Sequence, residues 1–356
     1  MKQILFSLTI LLLLLSCTRL PGTEVPSIIY ESEYTQCFAE IRDRIDYYHP
    51  YLEELGIDKN DIYQRYLAAS KEVDNSTQFT SILYAFVQEL GDANIIIHYN
   101  NKFIQCPTKV KDYPAFNLTS GELYTGNLWS EDGTYTYPFY IKSVSRTHSN
   151  NSCSNYPLLL SDAYTWECLT KAQEESLHTY LSSLSDRAIA GLVLDLRGAY
   201  YIDFRFIRNI LSYFYETGTH TIYEYQASPT VEIETCTVEG NGILANLPIS
   251  IIVNERTIGE WALFARILKD RDNVAIISRS NGGVGCLHGR FGFSLLGVEL
   301  CCPMLRTFVS QVACYSPLKP EVLVDWEGTE SEYGNLGYTD NIDYCLAAAL
   351  DFIDSF

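Results

Sequence analysis

Three short, almost unbroken apolar runs constrain this chain more than any other feature: Ile189 to Leu196, Ile249 to Val253 and Val274 to Ile277. A strand with one wet face alternates polar and apolar residues, whereas a strand buried on both faces does not. The segments between them carry helical spacing instead. Leu177, Tyr180, Leu181 and Leu184 mark one helix, Phe206, Ile207, Ile210, Leu211 and Phe214 a second, and Trp261, Phe264, Ala265 and Leu268 a third. Buried strands alternating with amphipathic helices imply a mostly parallel sheet with helical cover, an α/β core (α+β over the whole chain).

The flanking regions read differently. Phe38, Ile41, Ile45 and Tyr48 recur at helical spacing and Gly56 follows as a stop; Asn60 is a cap for a second helix through Ile62, Tyr66 and Ala69. Ser76 caps a third helix along Phe79, Leu83, Phe86 and Leu90, and Gly91 ends it. Residues 34–92 are thus expected to form a helical domain. Residues 93–168 are expected to be irregular β structure, with strands near Asn94 to His98 and Tyr135 to Val144; residues 169–356 form the core, closed by a hairpin near 291–314 and a helix from Tyr344 to Ile353.

The N-terminus has the layout of an export signal over residues 1–16: Lys2, an apolar run from Ile4 to Leu15, then Ser16 and Cys17. The run is too short to span a bilayer. Leu14-Leu15-Ser16-Cys17 resembles a bacterial lipobox, which implies acylation of Cys17 and a lipid anchor in the cell envelope. Residues 17–33 read as a tether, and Thr18 after the cysteine leans towards the outer membrane. Ten cysteines follow, which permits disulfides in an exported chain, and Cys301 or Cys302 with Cys314 is the pairing a short hairpin suggests. No pair has Cys-x-x-Cys spacing, so no metal and no cofactor is expected. The net charge of -19 repels phosphate backbones and argues against nucleic acid.

Five segments, in order, carry a family resemblance. They are Leu90-Gly91-Asp92-Ala93-Asn94; Gly191 to Gly198, ending Asp195-Leu196-Arg197-Gly198; Ile252 to Gly259, with Asn254 and Thr257; the loop Ser280-Asn281-Gly282-Gly283; and Pro317 to Val322. Together they resemble the tail-specific, or C-terminal processing, serine proteases of the tricorn-core type. The resemblance implies a crotonase/ClpP-like core with an N-terminal helical domain. It also implies a cleft near Asp92, Asn94, Gly198, Ala199, Tyr200, Tyr201, Thr257, Gly259, Glu260, Gly282 and Gly283.

Peptide hydrolysis needs a nucleophile, a base and oxyanion donors. The resemblance puts the nucleophile at Gly259, which has no side chain. It puts the base at Asn94, whose amide takes no proton near neutrality, or in other members at a lysine where Gly283 stands. Ala199, Tyr200, Tyr201 and Ile202 replace the flexible glycines that aim oxyanion donors. His98 lies four strand residues from Asn94, roughly 13 Å along a strand, and reads as structural, as does His288. Asp195, Arg197 and Thr257 remain and are expected to stabilise the fold.

The leading expectation is a pseudoprotease that binds a peptide or protein. The alternatives are a peptidase with a relocated site, using Ser278 or Ser280 with His288 or His98, and a lipid-anchored structural subunit of an envelope complex.

Overall fold

The computed structural model describes residues 32–106, 134–136, 139–147, 153–161, 170–185, 187–199, 201–227, 231–324 and 344–356. The signal segment, Cys17 and Tyr200 lie outside them. Among the described residues, no helix is long and apolar enough to cross a membrane.

Three helices open the described chain: α1 (Glu33–Tyr48), α2 (Lys59–Lys71) and α3 (Ser76–Leu90). Ser32 caps α1, accepting the Thr35 N–H, so the helix begins at the end of the expected tether. The other two caps fall next to the expected ones: Asp58, not Asn60, caps α2, and Asn75, not Ser76, caps α3. In both cases the residue just outside the helix has a side-chain oxygen that reaches the N3 amide, while Asn60 and Ser76 are already in the first turn. Gly91 ends α3 with φ 67°, the left-handed geometry glycine adopts without strain. Phe38, Ile41, Phe79, Leu83 and Phe86 form the apolar interior of this bundle, which packs on Ile97, Val298 and Leu300 of the neighbouring sheet.

That sheet has the order β2-β1-β12-β7-β8, with β11 and β13 also on β12. Its strands are β1 (Ile96–Tyr99), β2 (Lys102–Gln105), β7 (Gly218–Gln226), β8 (Glu234–Gly240), β11 (Leu287–Phe293), β12 (Val298–Val309) and β13 (Val312–Ala313). The second sheet has the order β14-β10-β9-β6-β5-β4-β3. It comprises β3 (Thr134–Thr136), β4 (Phe139–Thr147), β5 (Cys153–Ser161), β6 (Leu192–Asp195), β9 (Ile249–Ile252), β10 (Val274–Ser278) and β14 (Val322–Leu323). The pairs from β14 through β5 are parallel, and β4 and β3 continue antiparallel.

The three apolar runs are β6, β9 and β10, adjacent at the centre of this sheet. Each is covered on both faces. Val193, Ile252, Ala275 and Ile277 meet α7 (Tyr344–Asp354) through Leu346, Ala349 and Ile353. Leu192, Leu194, Ile251 and Ile276 face the opposite way. There they join the core of α4 (Lys171–Leu184), α5 (Phe204–Phe214) and α6 (Gly259–Lys269). The chain has the expected α/β fold.

Two features were not anticipated. The expected boundary at 168/169 falls inside one sheet, because β5 pairs in parallel with β6. The hairpin of β7 and β8 carries no clear periodicity, since only Ile222, Tyr223, Val238 and Gly240 in it are buried. The suggested cysteine pairing also differs. Cys301, Cys302 and Cys314 are free thiols. The Cys314 N–H bonds Thr307 O at 2.8 Å, so the strand residue beside Cys314 is Thr307; Cys302 lies five residues further along β12, about 17 Å away at strand spacing.

At the C-terminal end of β6, Arg197 Nη2 lies 2.6 Å from Asp195 Oδ2, and both side chains are buried. Breaking a buried pair strands a charge and typically costs about 3–5 kcal/mol. Asp195→Ala is expected to lose stability on that scale in urea unfolding, far more than Asp203→Ala, whose Arg205 partner is exposed.

Candidate functional site

The parallel strands end at a loop cluster between the sheets. After β9, Asn254 begins a tight turn: Thr257 N–H donates to Asn254 O at 2.9 Å, and Asn254 N–H donates to Thr257 Oγ1 at 3.0 Å. Thr257 Oγ1 in turn donates to Leu196 O at 2.7 Å, and Asn254 Oδ1 accepts the Gly198 N–H at 3.0 Å. These bonds tie the ends of β6 and β9 together. Thr257, Asp195 and Arg197 all bond within this framework.

The turn delivers Gly259 to the start of α6 with φ 61°. Asn94 meets it. The buried Asn94 amide oxygen accepts the Gly259 N–H at 3.1 Å and a hydrogen from the Cys286 thiol at 3.4 Å. Gly283 passes alongside: a Cβ there would lie 2.4 Å from Ile258 Cγ2 and 2.5 Å from Thr257 O. The packing therefore has no room for a lysine at 283. Asn94, Gly259 and Gly283 converge, and all three are buried.

Backbone donors near this point are already taken. Gly259 N–H also bonds Val284 O at 2.9 Å, Ala199 N–H bonds Leu196 O at 3.1 Å, and Gly198 N–H bonds the Asn254 side chain. An oxyanion site needs donors held ready for the substrate oxygen; these point at protein acceptors.

His288 reaches the cluster, which its place in the sequence does not suggest. Its Nδ1 lies 2.9 Å from Glu260 Oε2 and its Nε2 lies 3.0 Å from Asn94 O. Both neighbours accept, so both ring nitrogens donate and the ring is an imidazolium. Glu260 Oε1 also accepts the His288 backbone N–H at 2.7 Å. Burial alone would drive the imidazolium pKa down; the Glu260 charge and bond, with Asn94 O, outweigh it and raise the pKa above 6.5. Cys286 Sγ lies 3.7 Å from His288 Nε2. Burial, then the carboxylates of Glu260 and Asp92, push its pKa well up, so it stays a thiol.

A second network holds Asn94 from below. Asp92 Oδ1 accepts the Asn94 N–H at 2.8 Å; Oδ2 accepts from the Tyr315 hydroxyl and from His49 Nε2 at 2.6 Å. His49 Nδ1 accepts the Tyr51 N–H at 3.2 Å, so the proton lies on Nε2. Burial opposes ionisation of Asp92, but the bonds from His49, Tyr315 and Asn94 overcome it and hold its pKa below the usual value. Tyr201 is half-buried, its ring 5.8 Å from His288. His98 bonds Glu299 instead, with Nδ1 3.3 Å from Oε2. Ser278 Oγ donates to Val253 O at 2.8 Å and Ser280 Oγ to Asn281 O at 3.2 Å, so neither hydroxyl hydrogen is aimed at a histidine. Among the described residues no group of three or more His, Cys, Asp or Glu side chains converges to hold a metal.

Because the His288 pKa is raised, its contribution to stability is full below the unfolded value of about 6.5 and fades as pH rises towards the folded value. Between the two values stability falls by about 1.4 kcal/mol per pH unit. Urea unfolding from pH 6 upward is expected to show this decline, and His288→Gln to flatten it. Asp92, with its lowered pKa, acts only at the acid end, as pH falls through its folded value.

No protein-family model matches the sequence, and no curated protein matches it. Solved structures do match. Mature CPAF aligns with a TM-score of 0.59 at 10% identity, covering 91% of this chain and 98% of that one. A candidate peptidase from Parabacteroides merdae ATCC 43184 aligns at 0.58 and 14% identity, covering 91% and 99%. A lipoprotein from Streptococcus agalactiae aligns at 0.55 and 14%, covering 92% and 98%. At these identities the likeness speaks to the backbone alone: the chain shares the fold of these structures.

Proposed function

We propose that this chain is a pseudoprotease of the bacterial cell envelope, anchored through Cys17, that works by holding a peptide or protein partner and not by hydrolysis. One observation carries the reading: the Asn94 amide, at the position of the family base, accepts the N–H of Gly259, at the position of the family nucleophile. Neither position offers a group that attacks or takes a proton, and His288, beside them, has both ring protons committed. The lipobox-like Leu14 to Cys17 supports the envelope assignment, as does a shared fold with a lipoprotein.

The burial of Thr257, Gly259 and Gly283 favours a second reading, a lipid-anchored structural subunit. Cross-linking in membranes separates the two. A single stoichiometric protein partner points to the subunit, and a dissociable peptide to partner binding.

A fluorophosphonate probe tests the loss of hydrolysis. No serine of the mature protein is expected to label, and Gly259→Ser is expected to stay unlabelled for want of a base. Labelling of one serine, abolished by its replacement, would overturn the reading. For the anchor, Cys17→Ala is expected to abolish incorporation of radiolabelled palmitate and to move the protein from the detergent phase to the aqueous phase.

A further inference from the structure

We infer that the outer edge of β8, with the cavity beside it, takes an extended basic peptide segment as an added strand. This rests on the partner-binding reading above and gives that partner a place away from the closed cluster.

β8 is the terminal strand of its sheet, paired to β7 on one side. Among the described residues no strand pairs with its other side. Alternate residues of a strand direct both N–H and C=O to the same edge, so a seven-residue edge strand offers a ladder for another chain.

A cavity of about 540 Å3 lies against this edge, between β8, α4 and α5. Thr237, Val238 and Glu239 all line it. Consecutive strand residues point to opposite faces, so a cavity touched by three in a row lies off the strand's edge and not over one face. Leu177, Leu181 and Ile210 lie buried at its floor, so an added strand would meet mainly the polar and charged residues of its wall. Tyr213 also lines it, 5% exposed, and its hydroxyl has no hydrogen-bond partner among the described residues.

Charge selects the occupant. Glu174, Glu175 and Glu239 line the cavity, and Glu234 lies at the start of β8. Of the two lining cations, Lys171 is taken by Glu175 at 3.4 Å, which leaves Arg208. The excess is acidic, as in the whole chain, and favours lysine or arginine on the incoming strand. It also disfavours a second copy, whose own β8 brings Glu234 and Glu239 and the same acidic excess to the edge.

The test is fluorescence anisotropy of the mature protein with a fluorescein-labelled nonapeptide alternating lysine and valine. Saturable binding is expected. It should weaken at least tenfold when glutamate replaces lysine, when alternate amides on one edge of the peptide are N-methylated, and with Glu234→Lys/Glu239→Lys. Asn209→Trp, an exposed change in the cavity wall, should weaken it likewise with no change in melting temperature. Absence of saturable binding overturns the inference. So does binding that ignores both N-methylation and Asn209→Trp, although it leaves partner binding at another surface standing. A dimer in sedimentation that dissociates in Glu239→Lys assigns the edge to a second copy and also overturns it. Fluorophosphonate labelling bears on the non-catalytic reading alone, so the two failures are distinguishable.

Discussion

A buried ion pair organises the centre of this molecule. His288 and Glu260 meet at 2.9 Å with side chains 0% and 2% exposed. Two charges taken out of water repay their desolvation only where the geometry is good and the remaining donors and acceptors are satisfied. Here they are: Glu260 accepts from both the ring and the backbone of His288, and the second ring proton goes to Asn94 O. Glu260 also stands in the first turn of α6, where the helix dipole favours a carboxylate. The pair joins α6, β11 and the turn after α3, so the helical bundle, one sheet and the ends of the parallel strands share one set of polar contacts.

This arrangement explains why the cluster is shut. A hydrolytic centre keeps a base half-committed and leaves backbone donors waiting for substrate. In this chain the polar groups of the loop cluster are closed by partners from the protein itself. Asn94 bonds Gly259, Cys286 and Asp92; Gly198 and Ala199 bond Asn254 and Leu196. These polar groups are satisfied within the protein, the condition under which a buried network rigidifies a core.

The sequence exposes the parts of this design that depend on local pattern. The runs that become β6, β9 and β10 are apolar on both faces, which only a doubly covered sheet explains, and the helical bundle shows its 3.6-residue period directly. Asn94, Gly259 and Gly283 were recoverable because ordered motifs tie them to elements of known type. Other features depend on distant approach. His288 meets Glu260 across 28 residues and Asn94 across 194, and nothing beside Cys286-Leu287-His288 marks that meeting. The hairpin of β7 and β8 was hidden for a different reason. Only Ile222, Tyr223, Val238 and Gly240 in it are buried, too few to impose a period.

The weakly patterned hairpin and the closed cluster bear on function together. Natural sheets blunt exposed edges with charge, short strands or cover, because a bare edge recruits other chains. β8 carries Glu234 and Glu239, which guard against its own copies, yet it keeps a cavity alongside, with acidic residues in its lining, and an interior run of Thr-Cys-Thr-Val with no charge. A guard of one sign excludes like-charged strands and admits those of opposite sign, so it works as a filter and not as a block. Where the donors of the loop cluster are taken by the protein's own acceptors, an edge with selective charge is where, among the described residues, an incoming strand would find backbone to pair with.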